Sequence, residues 1–216
     1  MKSFKTENVI IRRFEMRDAK QAYHSLSIYE DEGKMCNGNE PVNETFEQNK
    51  VIIKSAINEY YTDEPIWAVE DKETKRLVGF IRITNYSPRN KICKITWSML
   101  YTQKYENFVK DALVQVLKFI FTKKDVELVE CSYYEANDDN VQNSENQNIL
   151  NGIGMIKEAV LRNRRFNEKT NKKENFVIYS MDKNEFFEKN NIQNVGDLKK
   201  STNKFANKIS YKVCNH

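Results

Sequence analysis

Apolar positions fall into short alternating runs and longer helical stripes, and these two periods divide the chain into elements. Asn8–Phe14 (NVIIRRF) is an apolar run rich in β-branched residues and reads as a first strand. Arg17–Ser27 follows with Ala19, Ala22, Tyr23 and Leu26 at helical spacing, a first amphipathic helix. Gly33 to Pro41 is turn-rich and reads as a loop. A second helix places Phe46, Ile53, Ala56, Ile57 and Tyr60 on one face, and Pro65 ends it. Ile66–Glu70 (IWAVE) and Leu77–Asn85 (LVGFIRITN) are strands joined by Asp71–Arg76, a charged connection of hairpin type. Ile92–Leu100 (ICKITWSML) is a fourth strand beyond the Ser87–Asn90 turn. Asn107–Lys123 carries the strongest helical stripe, with Val109, Ala112, Leu113, Val116, Leu117 and Ile120 facing inward.

Val126–Tyr134 (VELVECSYY) is a fifth strand. Glu135–Asn151 is asparagine-rich, with few apolar residues before Ile149 and Leu150, and reads as a loop entering a short helix that Gly152-Ile153-Gly154 ends. Met155–Phe166 and Phe176–Met181 pair as a final hairpin around the polar tip Asn167–Glu174. The order β α α β β β α β α β β feeds an antiparallel meander into a helix between two strands, which places the chain in the α+β (mixed α/β) class. Residues 1–187 read as one domain and 188–216 as a basic C-terminal extension, in which Asp197 caps a short helix carrying Leu198, Phe205 and Ile209.

Composition narrows the function classes. The 216 residues are 39% hydrophobic and 31% charged, enough for a globular core without disulfides or metal. Net charge is only +4, and from Lys189 onward the chain holds six Lys against one Asp. Nucleic acid is therefore not expected as a partner of the domain, and a polyanion reading belongs to the tail alone. The histidines are His24 and His216, and the four cysteines (Cys36, Cys93, Cys131, Cys214) are scattered without a CxxC. No metal site is expected, and a serine or cysteine hydrolase would have to depend on His24. Unpaired cysteines in a Lys-rich chain fit a reducing compartment, and Met1–Asn8 is polar. The longest nearly apolar stretch, Phe108–Phe121, is broken by Lys110, Asp111, Gln115 and Lys118, so no membrane span is expected and the cytoplasm is the expected location.

The order of elements and the local sequence together resemble the GNAT superfamily of acetyl-CoA-dependent N-acetyltransferases, and within it the branch that acetylates ribosomal-protein N-termini and small amines. Glu7–Phe14 with Arg17-Asp18-Ala19 is similar to that branch's first strand and helix start. Ile66-Trp67-Ala68-Val69 and Leu77-Val78-Gly79-Phe80-Ile81 resemble its second and third strands, and Phe176–Met181 its hairpin strand. Asn151–Met155 resembles its helix-end glycine signature, with Met155 in the aromatic slot. The resemblance covers roughly residues 5–187. It implies a central, mostly antiparallel sheet of about seven strands with four helices, acetyl-CoA as co-substrate, no metal, and an amine acceptor. Many members of this fold pair into dimers.

The resemblance also implies where the co-substrate sits. The family binds the CoA pyrophosphate with a Gln/Arg-x-x-Gly-x-Gly/Ala loop that opens the third helix, where glycine lets backbone N–H groups approach phosphate. Here that loop aligns with Lys104, Tyr105, Glu106, Asn107, Phe108 and Val109. Asn107 stands in the central glycine slot, where it tolerates left-handed backbone, and Val109 adds bulk in the Gly/Ala slot. Glu106 brings negative charge, offset by Lys104 and Lys110. The pantetheine-contacting Asn falls on Asn143, the serine near the leaving thiolate is Asn146, and the tyrosine many members use as proton donor is Leu150. Backbone groups near Ser98, Met99 and Leu100 are the implied cradle for the pantetheine arm.

An amine acceptor must lose a proton, and the oxyanion and the thiolate that develop both need stabilisation. Counting by twos along the fifth strand puts Glu130 and Tyr134 on one face with Ser132 between them, and Glu135 just past the strand end. Glu130, Tyr134 and Glu135 are the candidate catalytic groups, each also readable as a solvated polar position. Trp97 reads as core or as an acceptor platform, and Cys131 as a small buried hydrophobe on the opposite face from Glu130. Two functions follow. One is direct acetyl transfer from acetyl-CoA to a primary amine in a ternary complex. The other is a binding or regulatory module of the same fold with a weakened CoA site.

Overall fold

The computed structural model describes residues 3–25, 46–99, 105–136, 141–168 and 170–190. Eight strands form one sheet, β1 (Phe4–Lys5), β2 (Val9–Arg12), β3 (Ile66–Asp71), β4 (Leu77–Ser87), β5 (Ile92–Met99), β6 (Leu128–Ala136), β7 (Ile156–Asn167) and β8 (Lys172–Asp182). Their order is β1-β2-β3-β4-β5-β6-β8-β7. Every neighbouring pair is antiparallel except β5 and β6, which are parallel. Two parallel strands need a long crossover, and α3 (Tyr105–Lys123) supplies it.

The sheet separates two apolar layers, because alternate strand residues point to opposite faces. On one face, Ile66, Ala68, Leu77 and Phe80 pack with α1 (Asp18–Ser25) and α2 (Phe46–Glu59) through Ala19, Ala22, Ile53 and Ala56. On the other, Cys93, Ile95, Trp97, Val129, Cys131 and Tyr133 pack with α3, with α4 (Val141–Ile153) and with α5 (Lys183–Lys189). No helix among the described residues is long and apolar enough to cross a membrane.

Several boundaries differ from the periodicity reading. Phe46 opens α2 at 40% exposure instead of joining its buried face, because the first turn projects beyond the core that Ile53 and Ala56 reach. β6 starts and ends two residues later than read, running to Ala136, so Glu135 lies within the strand. The final hairpin pairs as far as Asn167↔Lys172, which shortens its tip. Gly154 does end α4: it adopts φ 93°, and Met155 N–H donates back to Leu150 O at 2.9 Å. Two elements are additions. β1 is too short for a periodicity signal. α5 begins with a reciprocal cap, in which the Asp182 carboxylate accepts from Asn184 N–H at 2.7 Å and the Glu185 carboxylate accepts from Asp182 N–H at 2.8 Å. The tail from residue 191, including the helix read at Asp197, and the loop read over Gly33–Pro41 lie outside the described residues.

A buried ionic knot joins β2, β3 and the start of α1. Arg12 donates through Nη1 and Nη2 to both Asp18 oxygens at 2.8 Å, and through Nε to Glu70 Oε2 at 2.8 Å. Asp18 also accepts from Glu15 N–H at 2.8 Å, which ties the strand exit to the helix start. Burial alone would lower the Arg12 pKa. Hydrogen bonds and charge from Asp18 and then Glu70 outweigh it and hold the pKa above the ordinary arginine value.

Candidate active site

β5 and β6 pair only at Ile92↔Leu128, Cys93↔Val129 and Lys94↔Glu130. Beyond that point β5 stays paired with β4 to Met99, and β6 stays paired with β8 to Ala136. Each strand therefore follows the twist of its own half-sheet, and the two part as a fork. The inner edges of Ile95–Met99 and of Cys131–Ala136 carry no ladder partner on each other. Gly79 sets the position of the β5 arm. A Cβ there would lie under 3.0 Å from Ser98 O, Met99 Cγ and Met99 Cα.

The residues read from the sequence distribute around this fork. Ser98 and Met99 are on its β5 arm and buried. Leu100 and Lys104 lie outside the described residues, and Tyr105 is the first residue of α3. Asn107 is exposed in the first turn of α3 and has ordinary helical backbone, so no left-handed turn is needed at that slot. Val109 corrects the expectation most. Its side chain is fully buried in the core with Phe108, pointing into the protein and not into the space before the helix N-terminus. The steric objection to phosphate there is removed. Glu106 pairs with Lys110 one turn on. Lys110 also lines a cleft of 440 Å³ with Asp111, Gln115, Gly152, Ile153 and Lys189. Asn143 is in α4, Asn146 is buried on α4, and Leu150 is fully buried in the core.

The three catalytic candidates separate. Glu130 is at the vertex of the fork, on the face away from α3, with Lys94 Nζ at 3.9 Å and both side chains about one-third exposed. Tyr134 shares that face but is enclosed. Its ring lies 5.0 Å from Phe176, with the Arg165 guanidinium 4.2 Å above it. Arg165 is in turn held by the buried carboxylate of Glu174, which also accepts from Asn167 Nδ2 at 2.7 Å. Glu135 is on the opposite face, with Tyr133. Burial raises the pKa of both Tyr133 and Tyr179, and the negative charge of Glu135 adds to the effect on each phenol. Tyr133 was missed by counting polar positions, since a tyrosine on the core-facing register gives no signal of its own. Cys131 is buried as expected, and burial pushes its thiol pKa up. Among the described residues no cluster of three or more His, Cys, Asp or Glu could hold a metal ion.

Among the described residues, Trp67 Nε1 and Trp97 Nε1 are buried side-chain donors that meet no hydrogen-bond acceptor, and the buried hydroxyls of Tyr133 and Tyr179 are coupled to each other. Of these, Trp97 and Tyr133 are on the arms of the fork.

The family description of the acetyltransferase (GNAT) domain matches residues 8–146, from β2 through the fork and into α4. The chain belongs to the GNAT acetyltransferase family. Acetyl transfer is accordingly the class of chemistry to which its domain is built. No curated protein matches the chain. Among solved structures, this GNAT chain is similar to a GNAT-family acetyltransferase from Bacillus anthracis, at 17% identity and TM-score 0.60 over 85% of this chain and 99% of that one. It is also similar to the ribosomal-protein-S5-alanine acetyltransferase from Vibrio fischeri, at 13% identity and TM-score 0.62 over 86% and 99%. A third similar structure is a microcin self-immunity acetyltransferase in complex with acetyl-CoA and AMP, at 12% identity and TM-score 0.62 over 82% and 93%. At these identities the likeness is one of fold.

Proposed function

We propose that this GNAT domain moves an acetyl group from acetyl-CoA directly to a primary amine, of a small molecule or a peptide N-terminus, within one ternary complex. The fork carries the reading, since it is the place where two adjacent parallel strands stop pairing with each other and part around a space that suits an extended amide-bearing arm. When bound, the thioester supplies an activated acyl group: a C–N bond forms, the C–S bond breaks with its electron pair on sulfur, and the amine gives up one proton.

The chain's own residues divide this work. The first turn of α3 presents unpaired N–H groups and the positive end of its dipole to phosphate, with Lys110 one turn further along. The fork edges from Ile95 to Met99 and from Cys131 to Ala136 hold the arm. Glu135 is the favoured base, because it lies near the open end of the β6 arm on the Tyr133 face, whereas Glu130 is engaged by Lys94 on the other face. Tyr134, stacked under Arg165, serves as a wall of the acceptor side. The reading as a non-catalytic module rested on Tyr105, Asn107, Val109, Asn146 and Leu150 together, and of these the Val109 side chain belongs to the core and so does not obstruct the helix N-terminus.

Calorimetric titration with acetyl-CoA and with CoA tests the reading, and micromolar affinity is expected for both. No heat up to millimolar ligand would sink it. Glu135→Gln is expected to lower turnover about a hundredfold with acetyl-CoA affinity unchanged, whereas Glu130→Gln stays within about threefold of the parent. The reverse pattern in steady-state rates would move the base to Glu130.

A further inference from the structure

The sheet face away from α3 carries a guanidinium held beside the fork. Arg165 is on the edge strand β7 and pairs with Glu174 of β8, which in turn pairs with Ala136 of β6. Its side chain does not turn outward. It reaches back across β8 and sets the guanidinium 4.2 Å above the ring of Tyr134, on the β6 arm beyond the vertex at Glu130. A bulge prepares this. Leu161 pairs with Phe176 and Arg165 with Glu174, so β7 gains two residues there, with Asn163 at φ 55° and its N–H on Asn175 Oδ1 at 3.1 Å. An even insertion keeps Arg165 on the face of Leu161 and Tyr134.

The guanidinium is clamped on one edge. Nε donates to Glu174 Oε2 at 2.8 Å, Nη2 donates to the same oxygen, and Asn167 Nδ2 holds Glu174 Oε1 at 2.7 Å. Glu174 is buried, so its carboxylate is a fixed anchor. The Tyr134 ring supports the cation from below. The end formed by Nη1 and Nη2 remains. Nη1 meets no acceptor among the described residues and is not buried, and the whole side chain is 27% exposed. Neutralising Glu174 needs only the side edge. A guanidinium fixed in this way offers the parallel N–H groups of its end to a carboxylate, which matches them with both oxygens. The local charge agrees, since residues 162–174 hold six Lys or Arg against two Glu, and Glu174 is already paired.

We propose that Arg165 is a specificity-determining residue that receives a carboxylate of the acceptor on its Nη1–Nη2 end, so that this chain acetylates primary amines that also carry a carboxylate. The proposal rests on the acetyl-transfer reading and names the class of amine. The carboxylate stays bound and unchanged while the amine attacks the thioester, so Arg165 moves no proton and adds no step. Glu174 and Tyr134 are its positioning residues.

Steady-state rates of the full chain with acetyl-CoA test the assignment. The acceptors are straight-chain ω-amino acids of graded length and short peptides with aspartate in second place, each compared with its neutral amide or asparagine counterpart. In the parent, kcat/KM is expected to favour the best carboxylate about twentyfold over its counterpart. Arg165→Gln should bring that ratio to within about twofold of unity with acetyl-CoA affinity unchanged, because only the anion has lost its partner. Arg165→Lys keeps a cation for the buried Glu174 carboxylate but lacks the second edge, and should lose most of the preference while melting closer to the parent. A purely structural arginine would lower the melting temperature in the variants and leave the ratio where it was. An even ratio in the parent, or a ratio that survives both substitutions, overturns the proposal while acetyl transfer stands. Acetyl-CoA binding with no amine of either kind acetylated also overturns it. If the parent does not bind acetyl-CoA in calorimetry, the transfer reading falls and the proposal with it.

Discussion

Replacing Asp18 by alanine is expected to lower the unfolding free energy by about 3–5 kcal/mol, the usual cost of removing one partner from a buried ion pair. Asp18 is fully buried and Arg12 nearly so. Its carboxylate meets two guanidinium nitrogens and the Glu15 N–H, so alanine would orphan three donors at once. Glu70 alone would then face the Arg12 charge, through the single Nε contact at 2.8 Å and at the edge of the original pairing. Water cannot easily replace the lost oxygens, since the knot is closed between β2, β3 and the first turn of α1. The effect should be global, because β2 and β3 hold their half of the sheet through Val9↔Asp71 to Arg12↔Ala68. Urea unfolding followed by circular dichroism measures it. A loss below about 1 kcal/mol would show that Arg12 rotates to solvent and that the knot contributes little.

Much of this architecture was legible because it depends on local period. Ile66–Glu70, Leu77–Asn85 and the stripe from Val109 to Ile120 carry strong patterns, and their inward residues are the ones buried. The capping pair Asp182 and Glu185 ahead of Phe186 and Phe187 was equally readable, but it was absorbed into the end of a domain and the start of a basic tail. The site was far less legible, for a physical reason. A fork is made where two strands stop pairing, which depends on their outer neighbours and leaves no mark on either strand's own sequence. A two-residue error at the end of β6 hid that Glu135 belongs to the strand and lies on the face of Tyr133, opposite Tyr134. Val109 misled in a different way: a branched residue in a glycine slot reads as an obstruction, and only the helix's rotation shows that it points into the core.

The second large effect concerns Gly79, where a methyl group should damage stability and ligand binding together. Gly79↔Met99 and Phe80↔Ser98 are the last β4–β5 pairs before β5 ends, so Gly79 sits behind the arm of the fork. Two of the three atoms its Cβ would crowd, Ser98 O and Met99 Cα, are backbone, and cannot turn aside as a flexible side-chain end can. Gly79→Ala must therefore push β5 outward or break its last pairs. Overpacking of this kind costs about 3 kcal/mol, at the upper end for an added methyl in a filled core. Because the displaced segment is the one that would line the pantetheine arm, acetyl-CoA affinity should fall at least about tenfold even in the fraction that folds. Denaturant unfolding and calorimetry on the same sample separate the two effects. Loss of stability with unchanged acetyl-CoA affinity would mean that the ligand does not lean on Ser98–Met99, and would move the binding edge to the β6 arm. The pairing of the two losses is what a strand used both as core and as binding edge requires, since any shift that relieves the clash changes the width of the fork.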